Sequence, residues 1–146
     1  MHTITRAIDI AAPPEVVWDI LTDQAAYPEW NPFIRRLQGT LEPGVRITVR
    51  ITPPNASAMT FTPTIIEVEP ERRLAWRGRL LVPGLFDGLH SFTLEPLPQG
   101  GTRFVQQEVF RGILVSLAGK LLSATERGFA GMNGALAERA EKQARA

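Results

Sequence analysis

The stretch that decides the fold is the last periodic segment of the chain, ILVSLAGKLLSATERGFAGMNGALAERAEK, residues 113–142. Apolar or small residues recur along it at steps of three and four, the spacing of one face of an α-helix: Leu114, Leu117, Leu121, Thr125, Gly128, Met132 and Leu136. A helix over 113–142 would be about 45 Å long, at about 1.5 Å per residue. Each internal glycine costs about 1 kcal/mol relative to alanine, so packing must hold this helix, and the glycines indicate close approach of another group.

Before this helix, from residue 34 to 110, the pattern changes to period two. Residues 45–51 alternate between apolar and polar side chains, which predicts a strand with one wet face. Residues 58–69 predict one long strand, in which Pro63 indicates a bulge or an edge position. Further strands are predicted at 74–80 and 90–95 and from about 102 to 110, separated by turn signals at Glu69-Pro70, Pro83-Gly84 and Pro98-Gln99-Gly100-Gly101.

The N-terminal part combines one strand with short helical segments. Residues 3–10 alternate and predict a first strand, which Pro13 and Pro14 end. These prolines suit the first turn of a helix, and residues 16–21 have the spacing of an amphipathic helix of about ten residues. Residues 27–33 hold two prolines and two large aromatics, which predicts a short helical turn or a packed loop rather than a long helix.

This order of elements predicts an α+β fold. We expect a curved antiparallel sheet of about seven strands wrapped around the long C-terminal helix, with two short helices after the first strand. A sheet of that size twists and curls, and only the terminal helix is long enough to fill its concave face. A cone-shaped α+β fold is the alternative, but its principal helices come first. The length of 146 residues fits one domain, so we expect residues 1–146 to form a single one.

Composition excludes several classes of function. The net charge of +1 provides no strong field for nucleic acid or an anionic membrane, and we expect no nucleic-acid partner. Arginines at 46, 50, 77 and 79 alternate on two strands, which indicates a solvated sheet face. No apolar run approaches the ~20 residues of a membrane span, and the N-terminus does not have the pattern of a signal peptide. Arginine-rich usage hints at a bacterial source, and we expect a cytoplasmic protein.

The side chains that hold metals or perform nucleophilic catalysis are scarce. The chain has no cysteine and two histidines, one of them His2 near the terminus. This excludes cysteine-ligated zinc, iron–sulfur clusters and a thiol nucleophile. Glycine-rich phosphate loops and nucleophile elbows are also missing from the sequence. We therefore expect neither a metal nor a cofactor.

Several motifs together resemble the START and Bet v 1-like helix-grip superfamily (SRPBCC), and within it the bacterial polyketide cyclase/dehydrase-like branch. The likeness covers nearly the whole chain and rests on residues 10–18, 27–33, Glu69-Pro70 with Leu74-Ala75-Trp76, 88–92, 101–104 with 108–110, Gly128-Phe129 and Met132-Asn133. The resemblance implies the helix-grip fold with a cavity between sheet and long helix. Such domains include lipid carriers, hormone receptors, aromatase/cyclases and chaperone co-factors, so the fold alone does not decide the function.

His90 is the first candidate for chemistry. By strand alternation it shares the inward face with Phe92 and Leu94. If the hairpin at 98–101 pairs the last two strands, His90 lies opposite Glu108 and Phe92 lies opposite Gln106. Such a pair could satisfy itself in the core, contact a ligand or move a proton, and the residues leave these three interpretations open.

The resemblance implies that large aromatic and neighbouring side chains line the cavity. Ligand pockets are mostly apolar with few polar groups, which describes the predicted lining: Trp30, Phe33, Trp76, Phe86, His90, Phe92, Gln106, Glu108, Phe110, Leu117, Leu121 and Met132. Plain core packing is the alternative for each of these residues.

These features give one leading hypothesis and two alternatives. The leading hypothesis is binding or transport of a small hydrophobic ligand of lipid, polyketide or isoprenoid type. The first alternative is a cyclase, aromatase or dehydratase that uses His90 and Glu108. The second is a protein-interaction module like the chaperone co-factors. The sequence does not decide between enzyme and carrier, and it does not give the oligomeric state.

Overall fold

The structure is a computed structural model that describes residues 1–80 and 84–146, apart from the side chain of Leu80. Eight strands and three α-helices lie in this described part. Pro83, one residue of a predicted turn, lies outside this described part. The elements in chain order are β1 (His2–Ile10), α1 (Pro14–Thr22), a 3₁₀ turn (Gln24–Ala26), α2 (Tyr27–Trp30), β2 (Ile34–Gln38), β3 (Thr48–Ile51), β4 (Met59–Phe61), β5 (Thr64–Glu69), β6 (Arg73–Leu80), β7 (Phe86–Pro96), β8 (Thr102–Arg111), a second 3₁₀ turn (Val115–Leu117) and α3 (Gly119–Ala144).

The strands form two antiparallel sheets that together curve around helix α3. The larger has the order β1-β8-β7-β6-β5, and the smaller has the order β2-β3-β4. Backbone hydrogen bonds join the two: the Ile65 N–H donates to the Val45 carbonyl at 2.9 Å, and the Ile47 N–H donates to the Pro63 carbonyl at 2.9 Å. The predicted α+β helix-grip architecture is confirmed, with eight strands in place of about seven.

Pro63 accounts for the additional strand. The predicted long strand over 58–69 divides at this residue, so that β4 pairs with β3 while β5 pairs with β6. Proline has no N–H to donate to a ladder, and the chain passes from one sheet to the other at this point. The strands therefore do not form one continuous meander, although β5 to β8 do.

The register of the larger sheet brings distant parts of the chain together. Strand β1 lies at its edge and pairs with β8, with Ile4 opposite Glu108 and Ile10 opposite Thr102. The β7–β8 hairpin places His90 opposite Glu108 and Phe92 opposite Gln106. The predicted hairpin register is therefore confirmed.

The segment after β1 follows the predicted pattern of short helices. Helix α1 begins at Pro14 and buries Val17, Trp18, Ile20 and Leu21. The four-residue helix α2 begins at Tyr27, whose ring is fully buried and whose hydroxyl donates to the Leu21 carbonyl. Burial raises the pKa of the Tyr27 phenol well above its usual range, so this phenol stays protonated as a structural donor.

Helix α3 begins six residues later than the sequence predicts. Gly112 has a φ of +129°, and the Ile113 and Leu114 N–H groups donate to the carbonyls of Gly84 and Leu85 at 3.2 and 3.0 Å. These bonds attach the segment to the start of β7, so its backbone cannot join the helical ladder. The helix proper has 26 residues and is about 39 Å long.

The core lies between helix α3 and the concave side of the sheets. Phe129, Met132 and Leu136 of α3 are fully buried, as are Phe92 and Phe104 of the larger sheet. The glycine at 128 permits this packing, because the ring of Phe33 occupies the space that a side chain there would need. Among the described helices, none combines the length and apolar character that crossing a membrane requires.

Candidate functional site: a cavity between the sheets and helix α3

A cavity of about 70 Å³ lies where both sheets meet the N-terminal part of α3. Its walls are mostly apolar and come from β2, β3, β4, β6, β7, β8 and α3. The lining residues are Phe33, Ile34, Val49, Ile51, Met59, Phe61, Pro63, Trp76, Gly78, Arg79, Phe86, Gly88, His90, Glu108, Phe110, Leu121 and Thr125.

Two glycines create space on the sheet side of the cavity. Gly78 of β6 lies directly opposite Gly88 of β7 in the register. A cross-strand pair normally fills the surface of a sheet with two side chains, and here neither strand supplies one. Phe86 and Phe110 border this gap, with ring centroids 5.5 Å apart. The cavity is therefore a consequence of local sequence as well as of sheet curvature.

His90 and Glu108 form the polar part of the wall. His90 Nδ1 lies 3.3 Å from a carboxylate oxygen of Glu108, and the two side chains are 6% and 18% exposed. The imidazole is held among aromatic rings, with centroids 5.1 Å from Trp76 and 5.0 Å from Phe129. An imidazole and a carboxylate at this separation can share or transfer a proton with a third group.

The other nitrogen of His90 begins a buried chain of hydrogen bonds. His90 Nε2 lies 2.9 Å from Gln106 Oε1. Gln106 Nε2 donates to Asn133 Oδ1 at 2.8 Å, and Asn133 Nδ2 donates to the Arg6 carbonyl at 3.2 Å. The side chains of Gln106 and Asn133 are buried. The chain links β7, β8, α3 and β1, and it fixes the orientation of the imidazole.

Gly88 also sets the position of the Glu108 carboxylate. A methyl group at position 88 would overlap carboxylate oxygen Oε2 of Glu108. The carboxylate therefore lies over a position that has no side chain, and from there its other oxygen reaches His90.

Comparisons with known proteins identify the family of the chain. The family described as polyketide cyclase / dehydrase and lipid transport matches residues 1–144. The chain belongs to this family. No curated protein sequence matches it.

Solved structures similar to this polyketide cyclase/dehydrase family member share its fold at low sequence identity. The Zhui aromatase/cyclase from Streptomyces sp. R1128 has a TM-score of 0.77 at 18% identity, covering 99% of this chain and 96% of that chain. The protein Ara h 8.0201 has a TM-score of 0.69 at 15% identity, covering 95% and 97%. DynU16, from the dynemicin biosynthetic locus, has a TM-score of 0.69 at 21% identity, covering 97% of this chain and 48% of that chain. The predicted membership of the helix-grip superfamily is confirmed.

In this family member, seven of the twelve sequence-predicted lining residues border the cavity: Phe33, Trp76, Phe86, His90, Glu108, Phe110 and Leu121. The inward parity of the strand residues places them there.

The other five residues lie outside the cavity lining. Leu117 belongs to the 3₁₀ turn before α3 and is 81% exposed, because the hydrogen bonds of residues 113 and 114 hold that segment out of the helix. Phe92 and Met132 lie deeper in the core. Gln106 is buried behind the cavity lining, where its side chain forms a hydrogen bond with His90 Nε2. Trp30 packs edge-on against Tyr27 in α2, with centroids 5.3 Å apart.

Two parts of the site were not predicted from the sequence: the wall from the smaller sheet and the buried amide of Asn133 on α3. The wall consists of Ile34, Val49, Ile51, Met59 and Phe61, and the alternation of residues 45–51 was the available signal for Val49 and Ile51. Asn133 lies between Phe129 and Ala137, which precede and follow it by four residues on the buried face. A polar residue within an apolar helix face is the signal that could have revealed it. In residues 1–80 and 84–146, no three acidic or histidine side chains group as metal ligands would.

Proposed function

We propose that the protein binds a small apolar molecule in the cavity between the sheets and helix α3. The observation that supports this best is the cavity wall itself, which is mostly apolar and carries the buried His90–Glu108 pair among its few polar groups. Ligand sites are typically apolar cavities with a few placed polar groups. Membership of a family whose description includes lipid transport supports the same proposal.

The cavity size limits how such a molecule enters. Its volume of about 70 Å³ is below the ~150 Å³ of a cavity that holds benzene and the ~300–1,000 Å³ of common ligand pockets. A ring-sized ligand therefore requires part of the wall to move. Strand β4 is the best candidate, because it has three residues, lies at the edge of the smaller sheet and contributes the half-buried Met59 and Phe61.

Within this proposal the lining residues have distinct roles. Trp76, Phe86 and Phe110 provide the aromatic surface against which an apolar ring packs. Phe33, just before β2, and Leu121 of α3 close it. His90 and Glu108 orient the polar end of the ligand. Binding of this kind needs neither a metal nor a cofactor.

A pair of tryptophan variants tests the proposal. Leu121→Trp places an indole in the cavity, whereas Leu117→Trp adds the same group at an exposed position four residues earlier. We expect binding of 2-naphthol, measured by equilibrium dialysis, to weaken at least ten-fold in Leu121→Trp and to stay within two-fold in Leu117→Trp. Equal binding by both variants would place the ligand elsewhere. Native mass spectrometry of freshly purified protein would test for a co-purified apolar molecule.

A second candidate function is acid–base catalysis on a bound polyketide-like molecule, as in a cyclase, aromatase or dehydratase. The 3.3 Å approach of His90 Nδ1 to Glu108 at the cavity wall favours it. A carrier needs only affinity, whereas an enzyme must lose turnover when the pair is changed. Glu108→Gln keeps the shape of the side chain, so a loss of turnover with retained binding of a ring-forming substrate would favour catalysis.

A further inference from the structure

We infer that the buried amide chain behind His90 fixes the imidazole with its proton on Nε2, so that the His90–Glu108 wall presents hydrogen-bond acceptors and selects apolar ligands that carry a hydroxyl or N–H donor. The tautomer follows from the fold alone. The selection of ligands rests on the proposed binding function, and the experiments below separate the two.

The backbone carbonyl of Arg6, at the far end of the hydrogen-bond chain, sets the direction of its bonds. A carbonyl oxygen can only accept, so the group of Asn133 that lies 3.2 Å from the Arg6 carbonyl must be the N–H₂ of its amide. The Asn133 oxygen then faces Gln106 and accepts from the Gln106 N–H₂ at 2.8 Å. Reversing either amide would place two acceptors or two donors against each other.

The orientation of the Gln106 amide determines which nitrogen of the imidazole carries the proton. Because the Gln106 N–H₂ is used by Asn133, its oxygen is the atom that lies 2.9 Å from His90 Nε2. That oxygen can only accept, so Nε2 must donate. The three side chains are buried, and leaving one of their polar groups unpaired would cost more than a hydrogen bond gains. The Nε2–H form is therefore held by three consecutive hydrogen bonds.

The other ring nitrogen of His90, Nδ1, lies beside Glu108 at the cavity wall. With the Nε2 proton committed, a neutral imidazole leaves the Nδ1 lone pair facing a Glu108 carboxylate oxygen. These are two acceptors, and a shared proton or a donor from a ligand relieves their repulsion. If one more proton is present, Nδ1 and the Glu108 oxygen 3.3 Å away hold it between them. In both cases a carboxylate oxygen remains as an acceptor at the wall.

Other charged and polar groups around the pair do not change this assignment. Arg79 borders the cavity, but its side chain is exposed and has the outward strand parity of Arg77. The Thr125 hydroxyl already donates to the Leu121 carbonyl at 2.8 Å. A phenol-like hydroxyl reaching the pair would donate to Glu108 or to Nδ1.

Nitrogen NMR of the histidine rings tests the tautomer directly. The chain has two histidines, so the single variant His2→Gln leaves His90 as the only ring to observe. We expect a protonated-type signal for Nε2 and, when the ring is neutral, an unprotonated-type signal for Nδ1. A neutral ring with its proton on Nδ1, or a mixture of both tautomers, would overturn the inference.

Asn133→Leu, in the same His2→Gln background, tests the origin of the tautomer. It removes the contact with the Arg6 carbonyl, frees the Gln106 amide to turn, and should produce a mixture of tautomers. Thr102→Val is the matched control, because it also removes a buried donor to a backbone carbonyl, that of Ala12 at 2.8 Å. The control should keep the single tautomer. A single Nε2–H form in Asn133→Leu would show that the chain does not set it.

The ligand class is tested with 2-naphthol and its methyl ether, which share a ring system but differ in the donor. We expect the intact protein to bind 2-naphthol about ten-fold or more tightly than the ether, and Glu108→Gln to reduce this preference below about three-fold. Equal binding of both probes by the intact protein overturns the selection while leaving the proposed function in place. Failure of both probes to bind overturns the proposed function, and the NMR result still decides the tautomer.

Discussion

The two ends of helix α3 differ in what they contact. Toward its C-terminus the helix is sealed: Phe129, Met132, Leu136 and Ala140 are buried against sheet and α1, and the Glu141 carboxylate accepts the Ala11 N–H at 3.0 Å. Toward its N-terminus it borders the cavity through Leu121 and Thr125. One helix therefore carries both the core and the candidate site. The difference indicates that stability and binding are assigned to separate turns of the helix, and six substitutions can test that separation.

The largest effect is expected for Phe129→Ala at the sealed end. This ring is fully buried and lies edge-on to Phe33, with centroids 5.7 Å apart. Its truncation should lower the free energy of unfolding by about 3–5 kcal/mol, measured in denaturant. Leu121→Ala, at the cavity, should cost clearly less because space already exists beside it. Similar losses for the two variants would contradict the division of the helix.

A pair of glycine substitutions on the same helix should give opposite signs. Gly128→Ala forces a methyl group into the ring of Phe33 and should destabilise by about 1–3 kcal/mol through overpacking. Gly134→Ala meets no neighbouring atom within 4 Å, so the helix gain of up to about 1 kcal/mol should appear as added stability. Thermal unfolding of both variants would measure these two changes in stability. A stabilised Gly128→Ala would mean that Phe33 can move aside.

A smaller effect on stability, with a clear effect on selectivity, is expected for Gly88→Ala. The new methyl group would displace the Glu108 carboxylate, the flexible end of a long side chain. We expect a change of about 1 kcal/mol or less in unfolding free energy, together with loss of the preference for 2-naphthol over its methyl ether. An unchanged preference would show that the position of the carboxylate does not matter for the ligand.

The smallest effect concerns the ion pair at the sealed end, between Asp9 of β1 and Arg103 of β8 at 2.8 Å. The hydrogen bond from Arg103 holds the pKa of Asp9 below its ordinary value of 3.8. A lowered folded-state pKa gives a stabilisation that is complete above the ordinary value and is lost as pH falls through the lowered one. Asp9→Asn should therefore flatten the acid side of the stability curve slightly. Denaturant midpoints between about pH 5 and pH 2 would measure this, and an unchanged acid slope would contradict it.

The sequence predicted the structure best where a periodic pattern was combined with a physical constraint on the chain, such as a short hairpin or a proline. Alternation along residues 90–95 and 102–110 was enough to predict the His90–Glu108 register, because the hairpin between them is short. The prolines at 13 and 14 located the start of α1 in the same way.

The errors came from tertiary contacts that override periodicity. Residues 113–118 have helical spacing, yet hydrogen bonds to Gly84 and Leu85 hold their first part in another conformation. Leu117 was for this reason wrongly placed at the cavity. Pro63 indicated a bulge or an edge position in the sequence, but nothing there indicated that the strands before and after it pair with different neighbours. Phe92 shares the parity of His90 but lies two residues farther along β7, where Phe104 and Trp76 pack against it.

The pairing of β1 with β8 has a consequence for how the chain is made. A ribosome synthesises residues 2–10 before their partner strand, which follows about a hundred residues later, and the Ala11–Glu141 contact can form only later still. The backbone donors and acceptors of β1 on that side stay without their native partners throughout this interval, and such edges promote misassociation. A chain that ends before residue 102 has no native partner for β1. The larger sheet therefore cannot be completed before β8 has been synthesised, and the nascent chain depends on residues 102–111 to protect residues 2–10.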